Sequence, residues 1–216
     1  MTAEEPMPLK RMNTPTAKKL EGLVSMHQDL RYVMQLTHAA VELITNKDCS
    51  DNLLLQTYWS AALNAYARPF KDGVRQEQLK PDIFSGISGA PETHDYFMKQ
   101  RDKLIAHSVN PFEEVGVGVF VSPEGKVVGT GELAAQLVAT SVEGFRDLNQ
   151  MAKIGTEDLM KKIEKQRELL VAEASKMSPN ELRKLENVRF TAPEPSRAGD
   201  SRAKSPKTKG ATKPKA

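Results

Sequence analysis

The sequence has little of several residue types, and each shortage excludes a class of protein. It contains a single cysteine, Cys49, which excludes an internal disulfide framework and fits a reducing compartment. No apolar run approaches the roughly 20 residues that a membrane-spanning helix needs. The first residues, up to Thr14, carry charges of both signs and no apolar stretch, unlike a secretory signal. We therefore expect a soluble, cytoplasmic protein with no membrane partner.

Aromatic residues are also few, at 6% of the chain, whereas Leu, Ala, Glu, Lys and Gln are frequent. This composition favours helices over a sheet-dominated fold. At 216 residues the chain is long enough for one domain with a core. The four histidines lack the spacing of a metal set, and there is no glycine-rich phosphate loop. We expect no metal and no other cofactor.

The net charge of +3 conceals an uneven distribution. Residues 196–216 contain seven basic residues and one acidic residue, so this tail carries +6 and the remaining chain −3. Bases spaced by Pro, Ser, Thr and Ala can neutralise phosphates without sequence preference, which would give non-specific nucleic-acid binding. A purely solubilising terminus has the same composition. Both interpretations of the tail are open.

The periodicity of apolar residues predicts a mainly α fold: a bundle of four or five helices with one small β-hairpin. Thr14 and Pro15 open a long first helix that continues to about residue 46. A second helix ends before Pro69, and a third runs from Pro91 to near Asn110. Two β-branched runs within 115–128 predict the hairpin. Because an isolated hairpin is marginally stable, we expect it to pack on the helices.

The C-terminal part is predicted to be helical and highly charged. A helix from about 132 to 153 is followed by an interruption at Gly155-Thr156 and a second helix to Met177. Ser178 and Glu181 have the spacing of a capping box that opens a short last helix. The chain thus divides into a flexible N-terminus (1–14), a helical domain (15–155), charged C-terminal helices (156–188) and a disordered basic tail (189–216).

The third predicted helix carries Arg101 and His107, separated by five residues. An imidazole that can move protons near neutral pH, beside a fixed cation, is what metal-free phosphodiester cleavage needs. His107 would deprotonate a ribose 2′-hydroxyl or protonate the leaving 5′-oxygen, and Arg101 would stabilise the charge on the phosphate. Asp102 or Lys103 would adjust the histidine and the backbone contacts. Lys103, Arg68 and Ser108 are the candidate substrate-binding residues.

The helix geometry qualifies this hypothesis. Six steps of about 100° leave Arg101 and His107 about 120° apart on an α-helix. Arg101 then lies on a largely buried stripe with Phe97, whereas His107 lies on a polar stripe with Gln100. The long side chain of Arg101 would reach from the buried stripe to the polar stripe, or it would meet a histidine from a second copy. An ordinary ion pair beside a surface histidine explains the same residues.

Three other features have competing interpretations. The pair Arg31 and His38 on the first helix also satisfies a loose Arg/His spacing. Arg68 could contact a phosphate or satisfy carbonyl groups at the end of its helix. Trp59 and Tyr66 have helical spacing, so we expect them in the core rather than stacked on a base.

The run Arg101-Asp-Lys-Leu-Ile-Ala-His107-Ser resembles the signature helix of HEPN-domain proteins, an arginine and a histidine four to six residues apart. The preceding helix, residues 58–70, is similar to the helix before that motif in bacterial members. The resemblance covers roughly residues 20–150. It implies a helical bundle that forms a homodimer, so that two Arg/His pairs share one cleft.

Many HEPN proteins are metal-independent endoribonucleases that act as toxins or in defence, and the resemblance therefore implies RNA as a partner. Others only bind RNA or protein, so a non-catalytic helical interaction or RNA-binding module is the alternative. Some toxin members carry a tyrosine two residues after the histidine. That position is Val109 here, so control by nucleotidylation of this tyrosine is not implied.

Overall fold

The computed structural model describes residues 7–46, 52–72, 77–105, 113–136 and 140–189. This part of the chain is mainly helical with one two-stranded antiparallel sheet, as predicted. Its elements in chain order are α1 (Pro15–Thr45), α2 (Asn52–Ala67), a 3₁₀ turn (Pro81–Phe84), α3 (Ala90–Gln100), a π-helical turn (Arg101–Ile105), β1 (Glu113–Val121), β2 (Val127–Gln136), α4 (Val142–Ala174) and α5 (Pro179–Lys184).

The helix starts follow from local sequence signals. Thr14 caps α1, since its Oγ1 accepts a hydrogen bond from the amide of Ala17 at 3.2 Å, and Pro15 occupies the first turn. Ser178 and Glu181 form the predicted capping box at the start of α5. No helix within the described ranges is both long enough and apolar enough to span a membrane.

The two longest helices, α1 and α4, pack along each other. Gly155 lies at their contact, where an added Cβ would stand 2.6 Å from Cδ1 of Leu30. The predicted interruption at Gly155-Thr156 is therefore wrong, because α4 continues through it and the glycine serves the close approach of α1. The amide of Asn149 also ties the helices together, donating to Oγ1 of Thr37 at 2.7 Å.

The core lies where α2 and α3 meet the α1–α4 pair. Trp59 of α2 is fully buried and meets Phe97 of α3 and Phe145 of α4 edge-on, with ring centroids 5.9 and 5.2 Å apart. Tyr66 is fully buried as well. The prediction that Trp59 and Tyr66 belong to the core is confirmed.

The hairpin exists, but it is longer than predicted. In β1 and β2, Gly118 pairs with Gly131, and the register is irregular between Phe120 and Val121. The turn contains Gly125 with φ 79°, a left-handed conformation that glycine adopts without strain. The expectation that the hairpin packs on the helices is wrong, because none of its described side chains is buried. The helix predicted from residue 132 is wrong there too, since β2 continues to Gln136.

The segment before α1 contacts the segment after α5. Lys10 and Asn187 form an antiparallel bridge, and the amide of Arg11 donates to the carbonyl of Glu186 at 2.8 Å. Nζ of Lys10 donates to the carbonyl of Leu185 at 2.9 Å. Residues 9–11, expected within a flexible N-terminus, are thus held by backbone pairing. The predicted disordered tail lies outside the described residues from position 190 onward.

Candidate functional site at the end of helix α3

The helix that carries the Arg/His motif changes its geometry at the arginine. α3 is an α-helix up to Gln100, and Arg101–Ile105 form a π-helical turn. Single π-helical turns are rare and occur frequently at functional sites. The angle of 120° predicted for Arg101 and His107 assumed a continuous α-helix, and it no longer applies. The π-helical turn begins at Arg101, the arginine of the predicted Arg/His motif.

Three charged side chains meet at this turn. Nζ of Lys71 lies 2.7 Å from Oδ2 of Asp102, and Nη1 of Arg101 lies 3.0 Å from Oδ1 of the same carboxylate. We call Lys71, Arg101 and Asp102 the cation cluster. One carboxylate is shared between an ammonium and a guanidinium, so the cluster keeps one net positive charge. Such a group can attract a phosphate.

Asp102 accepts hydrogen bonds from both basic side chains of the cation cluster. The hydrogen bond from Lys71, followed by that from Arg101, holds the pKa of the Asp102 carboxyl below its usual value. Asp102 is therefore ionised at neutral pH. Its hydrogen bond with Nη1 of Arg101 orients the guanidinium, whereas its predicted effect on His107 falls outside the described residues. His107 and Ser108, the other predicted residues of this stretch, lie outside the described residues, and Lys103 is exposed.

Two buried polar atoms flank the start of the π-helical turn. Nε of Arg101 and Oε1 of Gln100 are buried and have no hydrogen-bond partner in the described part of the chain. The amide nitrogen of Gln100 donates to the hydroxyl of Tyr96 at 2.6 Å. Gln100 is only 3% exposed, so its predicted place on a polar stripe is wrong. It lies three residues after Phe97, on the face that packs into the core.

Lys71 reaches the cluster from the corner that follows α2. Phe70 anchors this corner, since its ring centroid lies 5.3 Å from that of Tyr66 and 4.5 Å from that of His94. The carbonyl of Pro69 accepts a hydrogen bond from the amide of Leu79 at 2.8 Å. No local pattern marked Lys71, because its partner Asp102 lies in the π-helical turn, 31 residues further along the chain. Only the fold brings the two together.

Arg68, a predicted substrate-binding residue, forms an ion pair with α1. Its Nη1 lies 2.9 Å from Oδ1 of Asp29 on α1, whose side chain is only 9% exposed. This contact ties the end of α2 to α1. The guanidinium of Arg68 is directed to a buried carboxylate, which was not among the two roles expected for it. Arg68 thus stabilises the corner that presents Lys71.

The described cavities lie elsewhere, between α1 and α4. The larger, of about 370 Å³, is lined by Arg31, His38 and Asn149, and a second, of about 240 Å³, shares His38 and Asn149. Nε2 of His38 lies 3.4 Å from Oε1 of Glu42. The pair Arg31 and His38 therefore lines a groove between α1 and α4. It supplies a matched control for Arg101 and His107.

Comparison of the chain with protein-family models, with curated proteins and with solved structures finds no match. Within the described ranges, no three His, Cys, Asp or Glu side chains stand close enough together to hold a metal ion.

Proposed function

We propose that this chain is a HEPN-like, RNA-directed protein that forms a homodimer and cleaves RNA without a metal ion. The observation that carries the proposal is the cation cluster at a π-helical turn that begins at Arg101. The resemblance of residues 101–108 to the HEPN signature supplies the reaction class. The toxin or defence roles of that family are the expected setting.

The chemistry follows from the residue types. The ribose 2′-oxygen attacks the adjacent phosphorus, and His107 takes its proton. The bond from phosphorus to the 5′-oxygen breaks, and a protonated imidazole gives a proton to that leaving oxygen. Arg101 and Lys71 stabilise the negative charge that gathers on the phosphate oxygens. The products are a 2′,3′-cyclic phosphate and a 5′-hydroxyl.

The second copy completes the site in this proposal. Arg101 of one copy and His107 of the other contribute to a composite cleft, as the family resemblance implies. Asp102 keeps the guanidinium of Arg101 in one direction, because it accepts from Nη1 at 3.0 Å. Preorganised charge of this kind is worth more than mobile charge, since no reorganisation is needed during the reaction.

The test is an RNA cleavage assay with purified protein in excess EDTA. We expect Arg101→Ala and His107→Ala each to lower the cleavage rate at least about 100-fold, as loss of a phosphate-stabilising group or a general acid–base does. Arg31→Ala and His38→Ala are the matched controls and should cleave like the wild type. Circular dichroism and dimer mass verify folding. Equal cleavage by all four variants would refute the site.

A non-catalytic helical interaction or RNA-binding module is the second candidate. The observation in its favour is that Asp102 already neutralises part of the charge of Arg101. Intact RNA that co-migrates with the wild-type protein in EDTA, with no cyclic phosphate formed, would select this alternative.

A further inference from the structure

Tyr96 of α3 is an exposed aromatic residue whose ring is held by two contacts. The residue is 51% exposed, yet its hydroxyl accepts a hydrogen bond from Nε2 of Gln100 at 2.6 Å. Its ring also contacts that of Phe97, with centroids 5.5 Å apart and planes tilted by 56°. A ring that is already fixed in one orientation loses little freedom when a partner binds. Tyr96 therefore presents a preorganised aromatic surface to solvent.

The residue that holds Tyr96 is buried at a cost to stability. Gln100 is only 3% exposed, and its Oε1 is buried without a hydrogen-bond partner in the described part of the chain. An apolar side chain of similar shape would avoid this unpaired acceptor. Unpaired buried groups are uncommon in native structures, so each one needs a reason. The reason we infer here is that the buried amide orients an exposed ring.

Tyr96 lies on the same side of the helix as Lys103, a predicted substrate-binding residue that is exposed. Seven steps of about 100° bring an α-helix back to within about 20°, and the wider π-helical turn changes this angle by only a few tens of degrees. The two Cα atoms are about 10 Å apart along the helix axis. Arg101 lies between them, with a side chain that is 32% exposed. The aromatic surface is thus next to the proposed phosphate site.

The charges around Tyr96 favour one direction for a bound strand. The acidic neighbour of Tyr96 is paired, since Oδ2 of Asp95 lies 2.5 Å from Nζ of Lys99. Glu92 is one helical turn before Tyr96, on the side away from Lys103. A polyanion that contacts Tyr96 is therefore repelled from the start of α3 and attracted towards Lys103 and the cation cluster.

Two other exposed aromatic residues lack this setting. Tyr32 of α1 is 50% exposed, but its hydroxyl has no hydrogen-bond partner within the described ranges. Phe120 is 62% exposed on the hairpin, where residues 113–136 contain four acidic residues and one basic residue. Aromatic rings beside basic groups bind single-stranded nucleic acid, because every unpaired base can stack on them. Tyr96 is the exposed ring with both properties among these three.

We propose that Tyr96 is a stacking platform for an unpaired base of single-stranded RNA, in the nucleotide next to the phosphate that Arg101 and Lys103 bind. This role rests on the proposed function and specifies its substrate as single-stranded, since the bases of a duplex are already stacked on their neighbours. Stacking reads no hydrogen-bond pattern, so the platform accepts any base. Gln100 is a positioning residue that acts through Tyr96.

The test measures affinity for a short labelled RNA by fluorescence anisotropy, at one salt concentration and in a His107→Ala background that keeps the RNA intact. Tyr96→Ala should weaken binding about 5- to 100-fold, the range for loss of one stacked base. Tyr32→Ala removes an equally exposed ring and should bind like the His107→Ala parent. Circular dichroism verifies that both variants are folded.

An abasic strand of the same length separates stacking from phosphate contacts. The parent and Tyr32→Ala should bind this strand more weakly than RNA. Tyr96→Ala should show a smaller difference between the two strands, because the base and the ring that stack are coupled in a double-mutant cycle. Since the whole strand lacks bases, the result does not depend on the register in which it binds.

Gln100→Met tests the positioning role. Methionine keeps the approximate length of the side chain and removes the unpaired acceptor, so this variant should unfold at a temperature no lower than the parent. It should nevertheless bind RNA about 3-fold more weakly, because Tyr96 is no longer held in one orientation. A lower unfolding temperature with unchanged affinity would instead give Gln100 a purely structural role and overturn the positioning.

Equal affinities of Tyr96→Ala and Tyr32→Ala for RNA overturn the platform. A change in dimer mass without a change in RNA affinity also overturns it, and assigns the ring of Tyr96 to a protein contact. Cleavage is read separately with His107 intact. Base-dependent binding through Tyr96 without any cleavage refutes the nuclease alone, and cleavage with equal affinities of the two tyrosine variants refutes the platform alone.

Discussion

Nζ of Lys71 lies 2.7 Å from Oδ2 of Asp102, and this contact joins the corner after α2 to the π-helical turn after α3. If Lys71 were absent, the charge of the Asp102 carboxylate would cancel that of Arg101. Because Lys71 is present, Asp102 can orient the guanidinium while the cation cluster keeps one positive charge. The charge of the proposed site therefore depends on a residue outside the Arg/His motif.

Replacing Lys71 with methionine should weaken the site. We expect Lys71→Met to lower RNA cleavage about 10-fold, since the cluster loses its net charge while the length of the side chain is kept. The free energy of unfolding should change by less than about 1 kcal/mol, because both partners are over a third exposed and solvent screens the pair. Lys99→Met, which removes an exposed ion pair with Asp95, is the control. Equal activity of both variants would argue against a role for the cluster.

Acid should destabilise the protein through His94. This histidine is buried among Phe70, Phe84 and Tyr66, its Nδ1 lies 2.8 Å from the hydroxyl of Tyr66, and burial lowers its pKa. The unfolded chain then binds the proton more tightly than the folded chain. Stability contributed by neutral His94 is present above the usual pKa and is lost as the pH falls below it, by at most about 1.4 kcal/mol per pH unit.

The measurement is urea unfolding at several pH values between 7.5 and 5. His94→Gln should be less stable than the wild type at neutral pH and should lose less stability on acidification. His38→Gln, at an exposed position of α1, should follow the wild-type curve. Parallel curves for wild type and His94→Gln would contradict the assignment.

Two glycines should respond to the same substitution with opposite sign. Gly155→Ala places a Cβ 2.6 Å from Cδ1 of Leu30, which is fully buried and cannot move aside easily. Overpacking should exceed the gain in helix propensity, for a net loss of about 1–2 kcal/mol. Gly22→Ala meets only Cβ of Glu77 at 3.9 Å, an ordinary contact, and should stabilise by up to about 1 kcal/mol. Thermal unfolding of both variants measures the two effects. A Gly155→Ala variant more stable than the wild type would show that α1 and α4 lie further apart at Gly155 than the structure places them.

The basic tail offers a prediction about salt. A protein that ends at residue 189 lacks all seven basic residues of 196–216. If the tail binds RNA, its removal should weaken binding and reduce the slope of log K against log salt, by about 0.7 for each phosphate of a single strand that the tail neutralises. Fluorescence anisotropy with labelled RNA measures both. An unchanged slope would identify the tail as a solubilising terminus.

Local chemistry explains what could be predicted. The cap at Thr14, the box at Ser178 and the core positions of Trp59 and Tyr66 follow from signals within a few residues. The mainly helical class and the hairpin follow from composition and period. Arg101 was selected from its spacing to His107, and the π-helical turn begins there.

Local sequence signals did not predict the surroundings of three residues, Gly155, Gln100 and Lys71. A glycine within a charged helix has the same local signature whether the helix stops or another helix approaches. Gln100 is polar by type, yet its register with Phe97 buries it. Lys71 belongs to the proposed site only because its side chain contacts Asp102, which is distant in the sequence.

The sequence by itself determined the helical class, the helix starts and the motif, because capping, periodicity and residue chemistry act over a few positions. Only the tertiary structure decided which helices touch, that Lys71 shares the carboxylate of Asp102, and that the hairpin stands uncovered. Those features depend on contacts between segments that are distant in the sequence. The free energy of such contacts depends on the packing of the whole chain, so no pattern within a few residues predicts them.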